Sequence, residues 1–304
     1  MNDNDVHTGL IIRAQSGFFD VKTDDGVITA KLRGRLKKER METDAAALGD
    51  RVTVRRTEDD KGVIESIEPR ERVLSRKAPG RSEIEQVIVA NPDQAVFVFA
   101  CADPDPNFRF LDRFLVVAER ENLPAIICAN KIDLVVMRSA KDEFQLYDRL
   151  GYPVLYTSAL TGKGVGKLRK VLRDKISVFA GPSGAGKSSL LNAIQPGLGL
   201  HTHEISQSTK RGQHTTVVPE LLELKDGGFV ADTPGLKAFG LWDIESEELD
   251  AYFPEMRDLV AQCEFSDCMH VHEPGCAIIT AVEEGDIAPE RYDSYLRMCA
   301  EDSD

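Results

Sequence analysis

The residues of this chain best suited to do chemistry lie in short runs whose spacing has a physical reason. Gly181-Pro182-Ser183-Gly184-Ala185-Gly186-Lys187-Ser188-Ser189 fits the pattern G-x-x-x-x-G-K-[ST], with Gly181, Gly186, Lys187 and Ser188 at the defining positions. Glycines so spaced let successive backbone N–H groups wrap phosphate oxygens. A lysine there reaches the outer phosphates, and the Ser188 hydroxyl is suited to ligate Mg²⁺. The apolar run ISVFA precedes the motif and the helix-like LLNAI follows it, which is the strand–loop–helix setting this chemistry needs.

A phosphate loop does not choose a base. Asn130-Lys131-Ile132-Asp133 follows the apolar PAIICA and resembles the N-K-x-D motif that reads guanine. In that reading the Asp133 carboxylate accepts from the guanine N1 and N2 hydrogens, which adenine does not offer as a pair. Asn130 binds the base and Lys131 lies along its plane. Ser158-Ala159, after PVLYT, resembles the short loop whose backbone supports the guanine O6. Asp232-Thr-Pro-Gly235, after GGFVA, resembles D-x-x-G, in which Asp232 holds Mg²⁺ through water and the Gly235 N–H binds the γ-phosphate. Each of the last two runs is commonplace alone. Four of them, each behind its own strand-like run, point to one guanine-nucleotide pocket.

Their order is base motif, Ser-Ala loop, phosphate loop, then D-x-x-G, whereas Ras-like proteins begin with the phosphate loop. Such loops sit at the carboxyl ends of parallel strands, so the pocket depends on the sheet and not on where the chain is cut. Between the phosphate loop and Asp232 runs GLGLHTHEISQSTKRGQHTTV from 197, a polar stretch too long for a simple turn that reads as a switch loop. Thr215 or Thr216 is the candidate γ-phosphate sensor, and Ser188, Thr215 and Asp232 form the candidate Mg²⁺ site. Leu236 stands where many GTPases carry a water-positioning Gln, so His214 is the candidate to orient the attacking water, an exposed loop His being the plain alternative.

Farther on, Cys263, Cys268, His270 and Cys276 place three thiolates and an imidazole within 14 residues. That donor set meets the soft, tetrahedral preference of a structural Zn²⁺. Four protein ligands leave no position for a catalytic water. His272 and Cys299 are the substitute ligands to consider.

The elements that must position these residues fall into three regions: an OB-type β-barrel over 1–72, a circularly permuted P-loop GTPase domain over 73–240, and a helical zinc-binding domain over 241–304. In the first, GLIIRA, FFDVKT, GVITAKL, RVTVRR and GVIESIE alternate apolar and polar residues between turn signals, with Asp25-Gly26 a hairpin signal. Five short strands in about 60 residues fit an OB barrel, with an SH3-like module the alternative. Pro79-Gly80, in a basic stretch, marks a linker. From about 84 onward apolar strands alternate with amphipathic helices, the pattern of a mostly parallel α/β sheet. The run SEELDAYFPEMRDLVAQ reads as a helix leading into the Cys/His cluster.

Charge is unevenly spread. The net charge is -13. From Asp243 to the end, however, there are 18 acidic and 3 basic residues, so the preceding 242 carry about +2. Six Lys or Arg stand against one Glu between Lys31 and Arg40, which suits RNA contact by the barrel. No apolar run reaches the roughly 18 residues that cross a bilayer, and the start has neither a basic nor an apolar signal region. The expectation is a cytoplasmic protein.

The permuted order, RGQHTT at 211–216, DTPGLKAFGLW at 232–242 and CEFSDCMHVHEPGC at 263–276 together resemble the ribosome small-subunit-dependent GTPase A family, from about residue 8 to 295. The resemblance implies an OB barrel, a permuted GTPase domain and a zinc domain. It further implies a role late in assembly of the small (30S) ribosomal subunit, contact with its rRNA, and slow GTP hydrolysis to GDP that the subunit accelerates. It assigns His214 the catalytic role. Gln213 and Val217 depart from the Arg and Thr more usual there, which keeps the sensor open between Thr215 and Thr216. A monomer off the ribosome is expected. The rival readings are a nucleotide-gated scaffold with little catalysis and a P-loop metabolic kinase.

Overall fold

The computed structural model describes residues 5–34, 36, 46–58, 61–78, 81–198, 220–232 and 244–301. In chain order it contains β1 (Val6–Gln15), β2 (Phe18–Thr23), β3 (Gly26–Leu32), β4 (Arg51–Glu58), β5 (Lys61–Ile67), β6 (Val73–Ala78), β7 (Arg81–Ala90) and β8 (Gln94–Ala100). Helices and strands then alternate through α1 (Phe108–Arg120), β9 (Ala125–Asn130), α2 (Met137–Arg149), β10 (Val154–Tyr156), α3 (Val165–Leu172), β11 (Ile176–Ala180) and α4 (Lys187–Ile194). After β12 (Glu220–Glu223) and β13 (Phe229–Asp232) come α5 (Pro254–Arg257), α6 (Ala277–Glu284) and α7 (Pro289–Glu301). The described residues cluster into two compact units. One lies within Met1–Val96, Val165–Ala180 and Lys187–Ala238, the other within Phe97–Gly164, Gly181–Gly186 and Phe239–Asp304.

In the first unit, every second residue of the N-terminal strands turns inward: Val21, Ile28, Ala30, Val52, Val54 and Ile64 are buried. This is the two-residue period of a half-buried strand, and each large aliphatic side chain so removed from water contributes about 1.5–3 kcal/mol. β1 changes partner along its length. Val6 to Leu10 pair with β4 and Leu10 to Gln15 pair with β2, with a register shift between Ile11 and Arg13. β2 pairs with β3 and β4 with β5, both antiparallel, while β3 runs parallel to β5. The ring β1-β2-β3-β5-β4-β1 therefore closes, and the expected five-stranded OB-type barrel is present. A β-carbon on Gly9 would lie 2.5 Å from the Lys22 carbonyl oxygen, so the strands approach there as only glycine allows. Thr23 faces Gly26 in the β2–β3 hairpin. Its two-residue loop is therefore Asp24-Asp25, and Gly26, at φ 125°, opens the next strand.

The linker expected at Pro79-Gly80 lies outside the described residues, but its flanks form an antiparallel ribbon, from Val73 opposite Ala90 to Ala78 opposite Arg81. The exit from the barrel is held by Asp50, fully buried, which accepts two hydrogen bonds from Arg70 at 2.7 and 2.8 Å. Farther along, β11 and β13 run parallel, and β12 lies antiparallel to β13. β12 also pairs with barrel strand β1, Glu220 opposite Arg13, and Lys22 meets Glu223 at 2.8 Å. The barrel is thus hydrogen-bonded onto the edge of the α/β strands of its own unit.

In the second unit, β9 runs parallel to β10 and is buried along its whole length, as expected of an apolar run covered on both faces. Phe114 of α1 stacks on Phe97 of β8 at 5.2 Å between ring centroids. The helix expected over SEELDAYFPEMRDLVAQ is broken into a 3₁₀ segment over Ser246–Tyr252, the single turn α5, and a second 3₁₀ turn over Val260–Gln262. Pro254 explains the break. It lacks an N–H and fits only the first turn of a helix, so it restarts the helix and cannot continue one. Among the described residues no helix is long and apolar enough to cross a membrane.

Candidate nucleotide site and candidate metal centre

The strand ends bring the guanine-type motifs together. Asn130 closes β9 and is almost wholly buried. Its Nδ2 donates to the Ala185 carbonyl at 2.9 Å, and its Oδ1 accepts from the Thr157 hydroxyl at 3.1 Å. The Asn130 carbonyl accepts from the Cys101 N–H at 2.8 Å. One carboxamide therefore ties together the 130–133 loop, the loop after β10 and the phosphate loop. Because both ends of that carboxamide are committed, Asn130 acts here as a brace between loops. Its neighbours continue the pattern of fixed backbone: the Ile132 N–H donates to the Thr157 carbonyl at 3.2 Å, and the Ser158 N–H to the Lys163 carbonyl at 2.9 Å.

The phosphate loop is shaped by glycines with no room for a side chain. Gly181 has φ 145° and a β-carbon on it would lie 2.1 Å from the Val98 carbonyl oxygen. Gly186 has φ 90°, and its β-carbon would lie 2.5 Å from Asn130 Nδ2. Both conformations are open to glycine and strained for other residues. Ala185 is buried, whereas Ser183 and Gly184 are exposed and Pro182 is half-buried. Lys187 and Ser188 open α4, with Ser189 exposed beside them.

Lys131 adopts the left-handed conformation, φ 61°, and its ammonium group donates to the Asp103 carbonyl. Asp133 is exposed one turn later, and Ser158 is buried with Ala159 half-buried. Asp232 ends β13, whose backbone runs parallel to β11, the strand that leads into the phosphate loop. His214, Thr215, Thr216 and Gly235 lie outside the described residues.

Two residues that sequence reading left without a role serve this site. Thr157 donates to Asn130 and meets the Cys128 thiol at 3.2 Å. Burial pushes that thiol up to about 12, so it stays protonated and can donate in return. Burial does the same for Cys101, also to about 12, in keeping with both cysteines being small apolar core residues. The strand-end position of Thr157 was the available signal. The Asp103 carbonyl offered none.

In the C-terminal region the four expected donors converge. One ligand atom from each of Cys263, Cys268, His270 and Cys276 lies within 4.8 Å of all the others. His270 Nδ1 is 3.6 Å from Cys263 Sγ and 3.3 Å from Cys276 Sγ, and the two sulfurs are 4.0 Å apart. A tetrahedron with metal–sulfur bonds of about 2.3 Å has edges of this order, so the donor set fits Zn²⁺. The other ring nitrogen, Nε2, faces Asp250 Oδ2 at 3.0 Å, which leaves Nδ1 for the metal. Tyr292 donates to the His270 carbonyl at 2.6 Å and Tyr295 to the Met269 carbonyl at 2.9 Å. His272 is exposed and outside the cluster, and Cys299 is buried apart from it. Asp250, 20 residues before its histidine, carries no sequence signal.

A second feature invisible in the sequence lies behind this centre. Arg291, 1% exposed, meets Asp112 of α1 at 2.7 Å and Glu255 of α5 at 2.6 Å, and its guanidinium lies 4.4 Å from the Phe253 ring centroid. Tyr147 also donates to Asp112, at 2.9 Å. Burial opposes the guanidinium charge, but the Asp112 and Glu255 carboxylates outweigh it and hold Arg291 more firmly protonated than usual. Burial, then the Asp112 carboxylate, pushes the Tyr147 hydroxyl up.

Comparison with known proteins agrees with this layout. Residues 67–242 match the model for the RsgA GTPase, and residues 8–64 match that for the RsgA N-terminal domain. A Gemmatimonas aurantiaca protein named small ribosomal subunit biogenesis GTPase RsgA is 46% identical over 294 residues, covering 96% of each chain. A Moorella thermoacetica protein of the same name is 44% identical, again over 96% of each. Among solved structures, YjeQ from Thermotoga maritima aligns with a TM-score of 0.81 at 38% identity, covering 98% of both chains. YloQ, described as a circularly permuted GTPase, aligns with a TM-score of 0.78 at 34% identity, covering all of this chain and 98% of that one. On its strand arrangement, its loop motifs and these matches, the chain belongs to the RsgA GTPase family.

Proposed function

We propose that this protein hydrolyses GTP to GDP and phosphate during assembly of the small ribosomal subunit, and that the subunit stimulates the reaction. The observation that carries the reading is the Asn130 brace, which holds the guanine-type loop and the phosphate loop in one fixed arrangement. The full-length similarity to proteins named for small-subunit biogenesis supplies the biological setting.

In this reading Asp133 selects guanine, with Lys131 along the base and the Ser158-Ala159 backbone beneath its O6. Residues Gly181 to Ser189 cradle the phosphates. Mg²⁺, when bound, neutralises charge on the phosphoryl oxygens, and Ser188, Thr215 and Asp232 are the residues to hold it. Thr215 or Thr216 and Gly235 sense the γ-phosphate. His214 orients a water for attack on the γ-phosphorus as the bond to the β-phosphate oxygen breaks. The Cys263, Cys268, His270 and Cys276 centre holds a structural Zn²⁺. The working division is a barrel over 1–72 that docks on rRNA, a GTPase domain over 73–240 and a zinc domain over 241–304, in a cytoplasmic protein that is monomeric off the ribosome.

The test is GTP turnover with and without purified small subunits. Turnover is expected to rise with the subunits, and His214→Ala is expected to abolish that rise while GTP binding persists. Turnover indifferent to subunits across a range of salt would overturn the reading.

A further inference from the structure

The turn between β8 and α1, Cys101 to Asn107, belongs to none of the nucleotide motifs, yet it touches two of them. At its start the Cys101 N–H donates to the Asn130 carbonyl at 2.8 Å. The Asp103 carbonyl then accepts from the Lys131 ammonium group. One residue farther, Pro104 faces the phosphate loop, where a β-carbon on Gly184 would lie 3.3 Å from its Cδ. Asn107 closes the turn by accepting from the Phe110 N–H at 3.1 Å, which ties it to the first turn of α1. Both partners of the Lys131–Asp103 bond adopt the left-handed backbone conformation, Asp103 at φ 48° and Lys131 at φ 61°. Such conformations are costly for residues other than glycine and persist where the surroundings enforce them, often beside a ligand. The acceptor is a neutral carbonyl, so the bond fixes the direction of the Lys131 stem without cancelling its charge. Ordering a free lysine side chain on binding costs affinity, and a side chain already held avoids that cost.

We propose that the Asp103-Pro104 turn is a further element of the nucleotide pocket, and that Asp103 is a positioning residue whose backbone carbonyl holds the Lys131 stem ready to lie along the base. Residue type matters there through the backbone: aspartate tolerates the left-handed conformation that aims the carbonyl at Lys131. Its own carboxylate, on an exposed residue, is not required. This rests on the proposed guanine reading of residues 130–133 and adds a determinant of affinity outside the motifs.

The test is GDP affinity of the full-length protein, measured by titration. Asp103→Val, whose branched side chain is disfavoured at positive φ, is expected to weaken binding about fivefold. Asp103→Gly, unstrained at that φ, is expected to stay within about twofold of wild type. Lys131→Met keeps an apolar stem but removes the donor, and should weaken binding by a similar factor to Asp103→Val. Combining Asp103→Val with Lys131→Met is expected to add no further loss, because both changes remove one bond. A turn with a merely structural role would give losses that multiply. Lys131→Met should also speed amide hydrogen exchange across 102–107 in the nucleotide-free protein, a readout that needs no change at Asp103. Wild-type affinity in Asp103→Val or Lys131→Met overturns the proposal. So does a loss in Asp103→Gly as large as in Asp103→Val, multiplying losses in the double variant, or unchanged exchange. Equal affinity of the wild-type protein for GDP and ADP would instead overturn the guanine reading on which it rests.

Discussion

The second unit contains two regions that hold their shape by opposite means. The loops around Asn130 are fixed mainly by neutral groups: a carboxamide, a hydroxyl, backbone amides and glycines packed against carbonyls. The Lys131 ammonium on the Asp103 carbonyl is the one charged exception named above. The region around His270 is fixed by charge: a cluster of metal donors, the His270–Asp250 pair, and Arg291 buried between two carboxylates. The difference follows from what each must do. A pocket for a highly charged nucleotide is best shaped by bonds that leave its net charge unspent until the ligand arrives. A short segment of broken turns has too little core to fold on burial alone, and small domains of this kind are stapled by metal or ion pairs.

The comparison can be broken most severely at the Cys/His cluster proposed to hold zinc. Apparent binding energies of structural zinc sites are about 10–16 kcal/mol. Cys263→Ser, or strong chelation, is therefore expected to unfold the region around α6 and α7, seen as loss of amide protection there. Guanine-nucleotide binding by the loops should survive, and its collapse would show that the two regions are not separable.

Next in size is Asp112→Ala. It leaves the Arg291 guanidinium buried with one carboxylate fewer, and breaking a buried pair from one side costs about 3–5 kcal/mol. A fall in the denaturation midpoint is expected, whereas Arg297→Ala, at a half-exposed pair, should change little. Equal effects would mean that Arg291 is not the buried keystone described.

A smaller effect separates shape from stability. Gly186→Ala forces a side chain into φ 90° and against Asn130 Nδ2. Strain of this kind costs about 1–3 kcal/mol. It is expected to appear mainly as weaker nucleotide binding, measured by titration, with the C-terminal region unaffected. Nucleotide affinity equal to wild type would remove the Asn130 brace from the site.

The smallest effect is a pH dependence. Burial pushes the Glu273 carboxyl up, but N–H groups of His272, Glu273 itself, Val271 and Met269 outweigh it and bring it to about 2. A carboxyl lowered from 4.5 stabilises the fold above its unfolded value, and that contribution is lost as pH falls from about 4.5 toward 2. The stability difference between wild type and Glu273→Gln should therefore narrow below about pH 4.5 in denaturation curves. A gap that stayed constant would mean the carboxylate is not bonded as described.

What was legible beforehand divides along the same line. The phosphate loop, the 130–133 loop and the Cys/His cluster could be read because ligand geometry dictates residue type at fixed spacing. The barrel was legible because period-two alternation leaves few alternatives for five short strands. Asp112 with Arg291 was not, since 179 residues separate them and each looks like an ordinary surface charge on its own helix. Asp250 escaped for the same reason. The break at Pro254 was readable in principle, but the apolar spacing around it looked helical enough to hide the proline.

The pairing of β12 with β1 has one more consequence. A strand held on both sides is shielded from other chains, and β12 has β13 on one side and barrel strand β1 on the other. A version of this protein trimmed to its nucleotide-binding part would bare a row of unmatched amides and carbonyls along β12, an open invitation to self-association. The barrel is therefore also a lid on the sheet's sticky rim.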